Sequence, residues 1–246
     1  MPPKPAKQSP TPSPTNGPAT RMVDVAPARL AAWVAGFAAR HGEFDVRIVG
    51  DTATLTAADG STAALEPPFP PMPAGWADNS REGSVADPIA AIVAHALEPR
   101  LIGVLLVRLG GYAAGLFDGG QLTASKVGSR QVHGRSAAGG WSQQRFARRR
   151  EGQVRVALDA AVEAAVRIIV PALRGPSGLA SVVTGGDRQA LRTTLADARL
   201  AELKPLVARR ILDVPDPKAR VLRDSYAPAI AIRVTITDAP MVADRS

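Results

Sequence analysis

Cysteine is absent from the 246 residues, and histidine nearly so, with only His41, His95 and His133. Without thiols there can be no disulfide framework and no thiolate metal site, and three histidines far apart in sequence do not build a zinc or iron centre. No set of acidic residues has the spacing of a two-metal nuclease site. Long apolar stretches are missing too. No run reaches the 18 or so residues that a membrane-spanning helix needs, and the opening Pro, Ser and Lys mixture lacks the apolar segment of a secretory signal. The expectation is a cytoplasmic protein with no metal, no cofactor and no membrane partner.

Basic charge, by contrast, is in excess. Thirty Lys and Arg oppose 22 Asp and Glu, for a net charge of +8 and a pI near 10.7, and arginine outnumbers lysine 25 to 5. An arginine that merely stood in for lysine would be scattered. Instead Lys126, Arg130, Arg135, Arg145, Arg148, Arg149, Arg150 and Arg155 share one thirty-residue window with a single acidic residue, Glu151. Such a cluster gains affinity for a phosphate backbone by releasing condensed counterions, so a polyanionic partner is implied.

The chain divides by composition. Residues 1–20 are Pro, Ser, Thr and Lys with nothing to bury and read as a disordered tail. Residues 21–66 form a small helix-plus-hairpin module: Leu30, Trp33, Val34 and Phe37 recur at helical spacing, Gly42 stops the helix, and three short strands follow around Gly50-Asp51 and Asp59-Gly60. Residues 67–86 are too rich in proline for regular structure and read as a linker. The main domain, 87–238, opens with Asp87 as N-cap and Pro88 at the first position of a helix to about Leu97. Strands at 101–109, 112–117 and 121–127 make an antiparallel meander in which Asp118-Gly119-Gly120 is a plain turn. A glycine-rich loop from Gly128 to Gly140 then runs into a long helix that begins near Trp141 or Ser142 and ends before Pro171. The stripe Val154, Leu158, Ala161, Val162, Ala165, Val166 and Ile169 packs that helix on the sheet. A strand at 179–184, a helix capped by Asp187 and running to about Leu200, and closing strands at 207–212 and 230–237 complete the domain, leaving 239–246 as a tail. The fold class is α/β, a mixed and mostly antiparallel central sheet with packed helices, plus the small α+β N-terminal module.

The loop and the helix behind it read GSRQVHGRSAAGGWSQQRFARRRE over residues 128–151. Small residues let a backbone come close to another molecule, and a helix N-terminus offers free N–H groups and a dipole that favours anions. His133-Gly134-Arg135, then Gly139-Gly140-x-Ser142-x-x-Arg145-Phe146-Ala147-Arg148-x-Arg150-Glu151, resembles the middle domain of eukaryotic and archaeal class-one release factors, where a loop with HGRGGQS runs into a helix beginning SAxRFARLRxE. The similarity covers about residues 90–212 and implies the RNase H-like fold of that domain. Ser136, Ala137 and Ala138 extend the loop, and Trp141 occupies the place of the family glutamine. Gln143 stands two residues later, and Gly140-Trp-Ser-Gln143 forms a GxxQ pattern similar to that of the Vms-like release factors, in particular their actinobacterial-type branch.

That resemblance implies a peptidyl-tRNA hydrolase that releases nascent chains from stalled ribosomes or large subunits, with the peptidyl-transferase centre and peptidyl-tRNA as partners. Gln143 would orient the attacking water or the terminal ribose hydroxyl, with Gly139 and Gly140 allowing insertion beside the CCA end. Lys126, Arg130, Arg135, Arg145, Arg148, Arg149 and Arg150 would hold RNA phosphates, and Trp141 either stacks on a nucleotide or staples the helix start. Gln144 and Gln153 are the other amides within reach of the role, and His133 reads as a loop residue. A non-catalytic ribosome- or RNA-binding module of the same fold is the alternative.

Overall fold

The computed structural model describes residues 19–76, 87–129 and 142–239, with 142–151 described by their backbone alone. The described residues form two five-stranded sheets. The first begins with β1 (Thr20–Val25), a 3-10 turn at Pro27–Arg29, α1 (Leu30–His41), β2 (Phe44–Val49), β3 (Thr52–Ala57) and β4 (Thr62–Glu66). Its strands are one-sided. In β3, Ala53, Leu55 and Ala57 are buried while Thr54 and Thr56 turn outward, the alternation of a sheet covered on one face only. Leu30, Val34 and Phe37 of α1 supply the cover, and Gly42, at φ 90°, ends the helix where an L side chain would be strained.

Helix α2 (Pro88–Leu97) starts as the capping signals indicate, the Asp87 carboxylate accepting from the Ile89 N–H at 2.8 Å. Its partner differs from the expectation that it heads the main domain. Ile89, Ile92 and Ala96 pack into the core of the first sheet with Leu55, Leu65 and Phe37. A cap marks where a helix begins, and its apolar face says only that some surface covers it. The proline-rich stretch preceding α2 is also engaged over its described part. Pro67, Pro68, Met72 and Trp76 are buried; the Met72 N–H reaches Asp51 at 2.7 Å and the Trp76 indole N–H reaches the Gly50 carbonyl at 3.1 Å. His95 Nε2 lies 3.1 Å from the carbonyls of Pro68 and Phe69, while Arg100 donates to Nδ1 at 3.1 Å. The guanidinium therefore assigns the ring proton to Nε2, and His95 is a buried structural tie.

The second sheet comprises β5 (Leu101–Arg108), β6 (Gly111–Asp118) and β7 (Gln121–Ser129), then, after α3 (Ser142–Ile168) and a 3-10 segment at Val170–Arg174, β8 (Ser181–Gly186), α4 (Arg188–Leu195), a 3-10 segment at Ala198–Leu206 and β9 (Val207–Leu212). Its order is β7-β6-β5-β8-β9, antiparallel from β5 outward to β7 and parallel from β5 through β8 to β9. Central β5 is covered on both faces, which explains its unbroken apolar run. Leu105 and Val107 face the layer of α3, α4 and the 198–206 segment, while Ile102, Val104 and Leu106 face the other core. The helix expected from Asp187 to about Leu200 is two elements, because Asp197 caps a new start by accepting from the Arg199 N–H at 2.9 Å.

The chain closes with α5 (Ala219–Asp224), α6 (Tyr226–Ala229) and β10 (Ile232–Thr237). The last strand does not close the second sheet, as its position in the sequence suggested. It inserts between β1 and β4 in the first, pairing Val234 with Val23 on one side and Leu65 on the other. Alternation of Ile232, Val234 and Ile236 fits either one-sided surface, so register with a sheet formed two hundred residues earlier is invisible locally. β1 went unread because five of its six residues are exposed at an edge. Arg210 of β9 ties the two sheets together, donating to Asp24 at 3.2 Å and to the Ala231 carbonyl at 2.9 Å. Burial lowers its pKa, opposed by the neighbouring Asp24 carboxylate.

Candidate functional site

Because β5, β7, β8 and β9 run in one direction, their C-terminal ends lie along one edge of the second sheet, at Arg108, Ser129, Gly186 and Leu212. The glycine-rich loop leaves from this edge after Ser129, and α3 brings the chain back. Helix α3 has 27 residues, about 40 Å at the usual rise. Among the described residues, Val154 is the first whose side chain joins the sheet-side core, followed by Leu158, Ala161, Val162 and Ala165. The twelve helical positions before it add roughly 18 Å of backbone between that core and the loop.

The candidate residues fall on this frame unequally. Lys126 is exposed on edge strand β7, opposite Ala114, and lines a groove of about 300 Å³ with Tyr112, Val156, Asp159, Glu163 and Arg167. Gln143, Arg145, Arg148, Arg149 and Arg150 lie on the first turns of α3, where only the backbone is described. Position 143 precedes Val154 by eleven residues, about three turns, and position 144 precedes buried Val162 by eighteen, about five turns, so both lie on the side of the helix that lower down carries the core stripe. Arg130, Arg135, Gly139, Gly140 and Trp141 lie outside the described residues, as does His133. Gln153 is half-buried on α3, beside Val154.

The packed end of the helix is held by a charge cluster that the sequence did not suggest. Arg199 donates to Asp159 at 2.6 Å, to Glu163 and to Asp197 at 2.9 Å, so one guanidinium spans two turns of α3 and the cap of the 198–206 segment. The two carboxylates of the groove are thereby engaged, whereas Lys126 and Arg167 have no ion-pair partner among the described residues. Hydrogen bonding from the Arg199 side chain, and secondarily from its N–H, holds the Asp197 carboxyl at about 2. A depressed folded-state pKa contributes stability above the unfolded value near 4, and the contribution is lost as the pH falls from about 4 to about 2. Replacing Asp197 by Asn keeps a capping acceptor but removes the titration. The expected result is a shallower loss of thermal midpoint between pH 4 and pH 2, measured by circular dichroism.

The glycines of the site region have two kinds of reason. Gly119 and Gly120 have φ of 53° and 95° and make the tight turn between β6 and β7. Gly120 is also roofed by Tyr226, whose ring would stand 3.0 Å from a Cβ there and stacks on Phe117 at 5.4 Å. The turn is thus packed as well as tight. Gly103 leaves room for Ile169, whose Cγ2 would lie 2.7 Å from a Cβ, and so lets the end of α3 settle on the sheet.

Among the described residues no group of three or more His, Asp or Glu side chains could hold a metal ion, and no helix is long and apolar enough to cross a membrane. What the arrangement offers is a loop carried at one edge of a sheet, a long helix running from it, and a cationic sequence between them.

The model of the family described as acVLRF1, the Actinobacteria/chloroflexi VLRF1 release factor, matches residues 100–235. The match begins as the chain enters β5 and extends into β10. Among solved structures, an archaeal translation termination factor, aRF1, is 21% identical over 52% of this chain and 36% of its own, with a TM-score of 0.40. A second structure, described only as an archaeal protein, is 20% identical over 56% of this chain and 35% of its own, with a TM-score of 0.38. This chain thus spans about a third of the length of either. No curated protein matches.

Proposed function

Because the chain belongs to the Actinobacteria/chloroflexi VLRF1 release factor family, we propose that it is a ribosome-associated peptidyl-tRNA hydrolase that frees nascent chains from stalled ribosomes or large subunits. The observation that carries this reading is the family match over the second sheet and α3, the part of the chain that holds the loop and its cations.

The chemistry asks little of the protein. The ester joining peptide to tRNA is already activated, so what remains is to place water and to hydrogen-bond the oxyanion that develops. Gln143 supplies a neutral amide with both donor and acceptor. Gly139 and Gly140 let the backbone approach the CCA end, and Arg130, Arg135, Arg145, Arg148, Arg149 and Arg150 with Lys126 grip RNA phosphates without reading sequence. Residues 128–151 thus supply both the cations and the one amide that this chemistry needs.

The test is a release assay on purified large subunits carrying peptidyl-tRNA. The full chain is expected to liberate peptide at a rate that falls steeply with added salt, because several phosphate contacts each release counterions. Binding to the same particles without release would instead establish the non-catalytic module, a reading that Trp141 in the place of the family glutamine permits.

A further inference from the structure

We propose that Tyr112 is a positioning residue of the site, a spacer whose ring sets the separation between the end of β7 and helix α3, the two anchors of the 130–141 loop. Tyr112 and Gly128 are directly paired across β6 and β7. The ring lies on the backbone of its partner: a Cβ at Gly128 would stand 2.5 Å from Tyr112 Cζ and Oη and 2.7 Å from Cε1. Gly128 is not among the glycines at positive φ, so its backbone conformation does not demand glycine. The ring does. An aromatic laid over a cross-strand glycine is a known way to pin an edge strand, but here the same ring has a second neighbour. Half-buried, it packs against the core that holds Leu158, Ala161 and Val162 of α3, and it lines the groove with Val156, Asp159 and Ala160.

Gly128 is the last strand residue but one before the loop departs, and Gly111 on the facing strand is also close-packed, a Cβ there falling 3.2 Å from the Gly128 carbonyl. The exit of the loop therefore has little freedom of its own. Arg199 fixes α3 from the 198–206 segment, through Asp159 and Glu163. With the strand end pinned by the ring and the packed part of α3 held by Arg199, Tyr112 sets how far residues 156–160 of α3 stand from the end of β7, and through the continuous helix where residue 142 stands relative to Ser129. Its catalytic consequence rests on the hydrolase reading above. A displacement near 1 Å at the base of a reactive group can lower turnover roughly 100-fold.

Two measurements test this. The chain has no cysteine, so spin labels at Ser129→Cys and Ser142→Cys report the anchor separation directly. The parent and Tyr112→Phe are expected to give the same narrow distance distribution, and Tyr112→Ala a shifted or broadened one; an unchanged distribution in Tyr112→Ala overturns the proposal. In the release assay, Tyr112→Ala is expected to lose 10- to 100-fold in kcat with KM within about threefold, and Tyr112→Phe to restore turnover. Gly128→Ala, which must push the ring aside, is expected to show a similar loss, and the double variant Gly128→Ala/Tyr112→Ala no more than either alone. Losses that multiply, or that follow the thermal midpoint rather than the ring, assign Tyr112 a purely structural role. A parent that releases no peptide while its label distance responds to Tyr112→Ala defeats the hydrolase reading and leaves the spacer in place.

Discussion

Gln143→Ala is expected to lower peptide release by about 10²–10³, the usual cost of removing one oriented hydrogen-bond donor from an acyl-transfer centre. That loss corresponds to roughly 3–4 kcal/mol of transition-state stabilisation. Particle binding should change little, because the phosphate contacts belong to the cations. KM should therefore stay near the parent's while kcat falls, the pattern of an interaction made in the transition state alone. Gln143→Glu sharpens the test. A carboxylate in the first turn favours the helix electrostatically, so folding is preserved, yet both amide donors are lost. Its release rate should fall at least as far as that of the alanine variant. Gln144→Ala should release within a few fold of the parent. If instead Gln144→Ala loses release and Gln143→Ala keeps it, position 144 carries the working amide.

Gly186→Ala is expected to destabilise the second sheet by about 4 kcal/mol or more, among the largest effects of any single substitution. Two costs coincide. Gly186 has φ 107°, a region that L residues rarely enter, and a Cβ there would fall onto the carbonyl oxygen of Val107 and 3.0 Å from its carbonyl carbon. That oxygen already accepts the Asp187 N–H at 2.8 Å, the bond that carries the chain from β8 into the cap of α4. Neither group can yield: Val107 lies in the central strand, and the Asp187 carboxylate accepts the Ala190 N–H at 2.7 Å. Gly178 is the control. It too has positive φ, 62°, but open space surrounds it, so Gly178→Ala should cost only the conformational strain of about 1–2 kcal/mol. Chemical denaturation of the three proteins reads the difference; equal midpoints for the two variants would mean that the Val107 contact is absent.

Much of the secondary structure was legible because its signals are local. Asp87-Pro88, Asp187 and Gly42 mark helix ends by bonds to residues within four positions. The meander of β5, β6 and β7 is announced by apolar runs broken at Gly110-Gly111 and Asp118-Gly119-Gly120. The long helix and its stripe from Val154 to Val166 follow from a period that needs no partner to be seen. The family was legible for a similar reason: its pattern is written in consecutive residues, and the eight cations and string of small residues that mark the candidate segment are a property of composition.

What the sequence determined by itself, then, is where most elements start and stop, which face of each is apolar, and where the cations concentrate. Only the tertiary structure decided how those faces are shared. It gave α2 to the first sheet, drew β10 back across the chain to lie between β1 and β4, joined Asp159 and Glu163 to Arg199 some forty residues away, and laid Tyr112 on Gly128. The reason is that an apolar stripe or an alternating strand specifies only that some surface must cover it. Choosing that surface is a competition among all the surfaces the chain makes, settled by packing volume and strand register between residues that no local pattern connects.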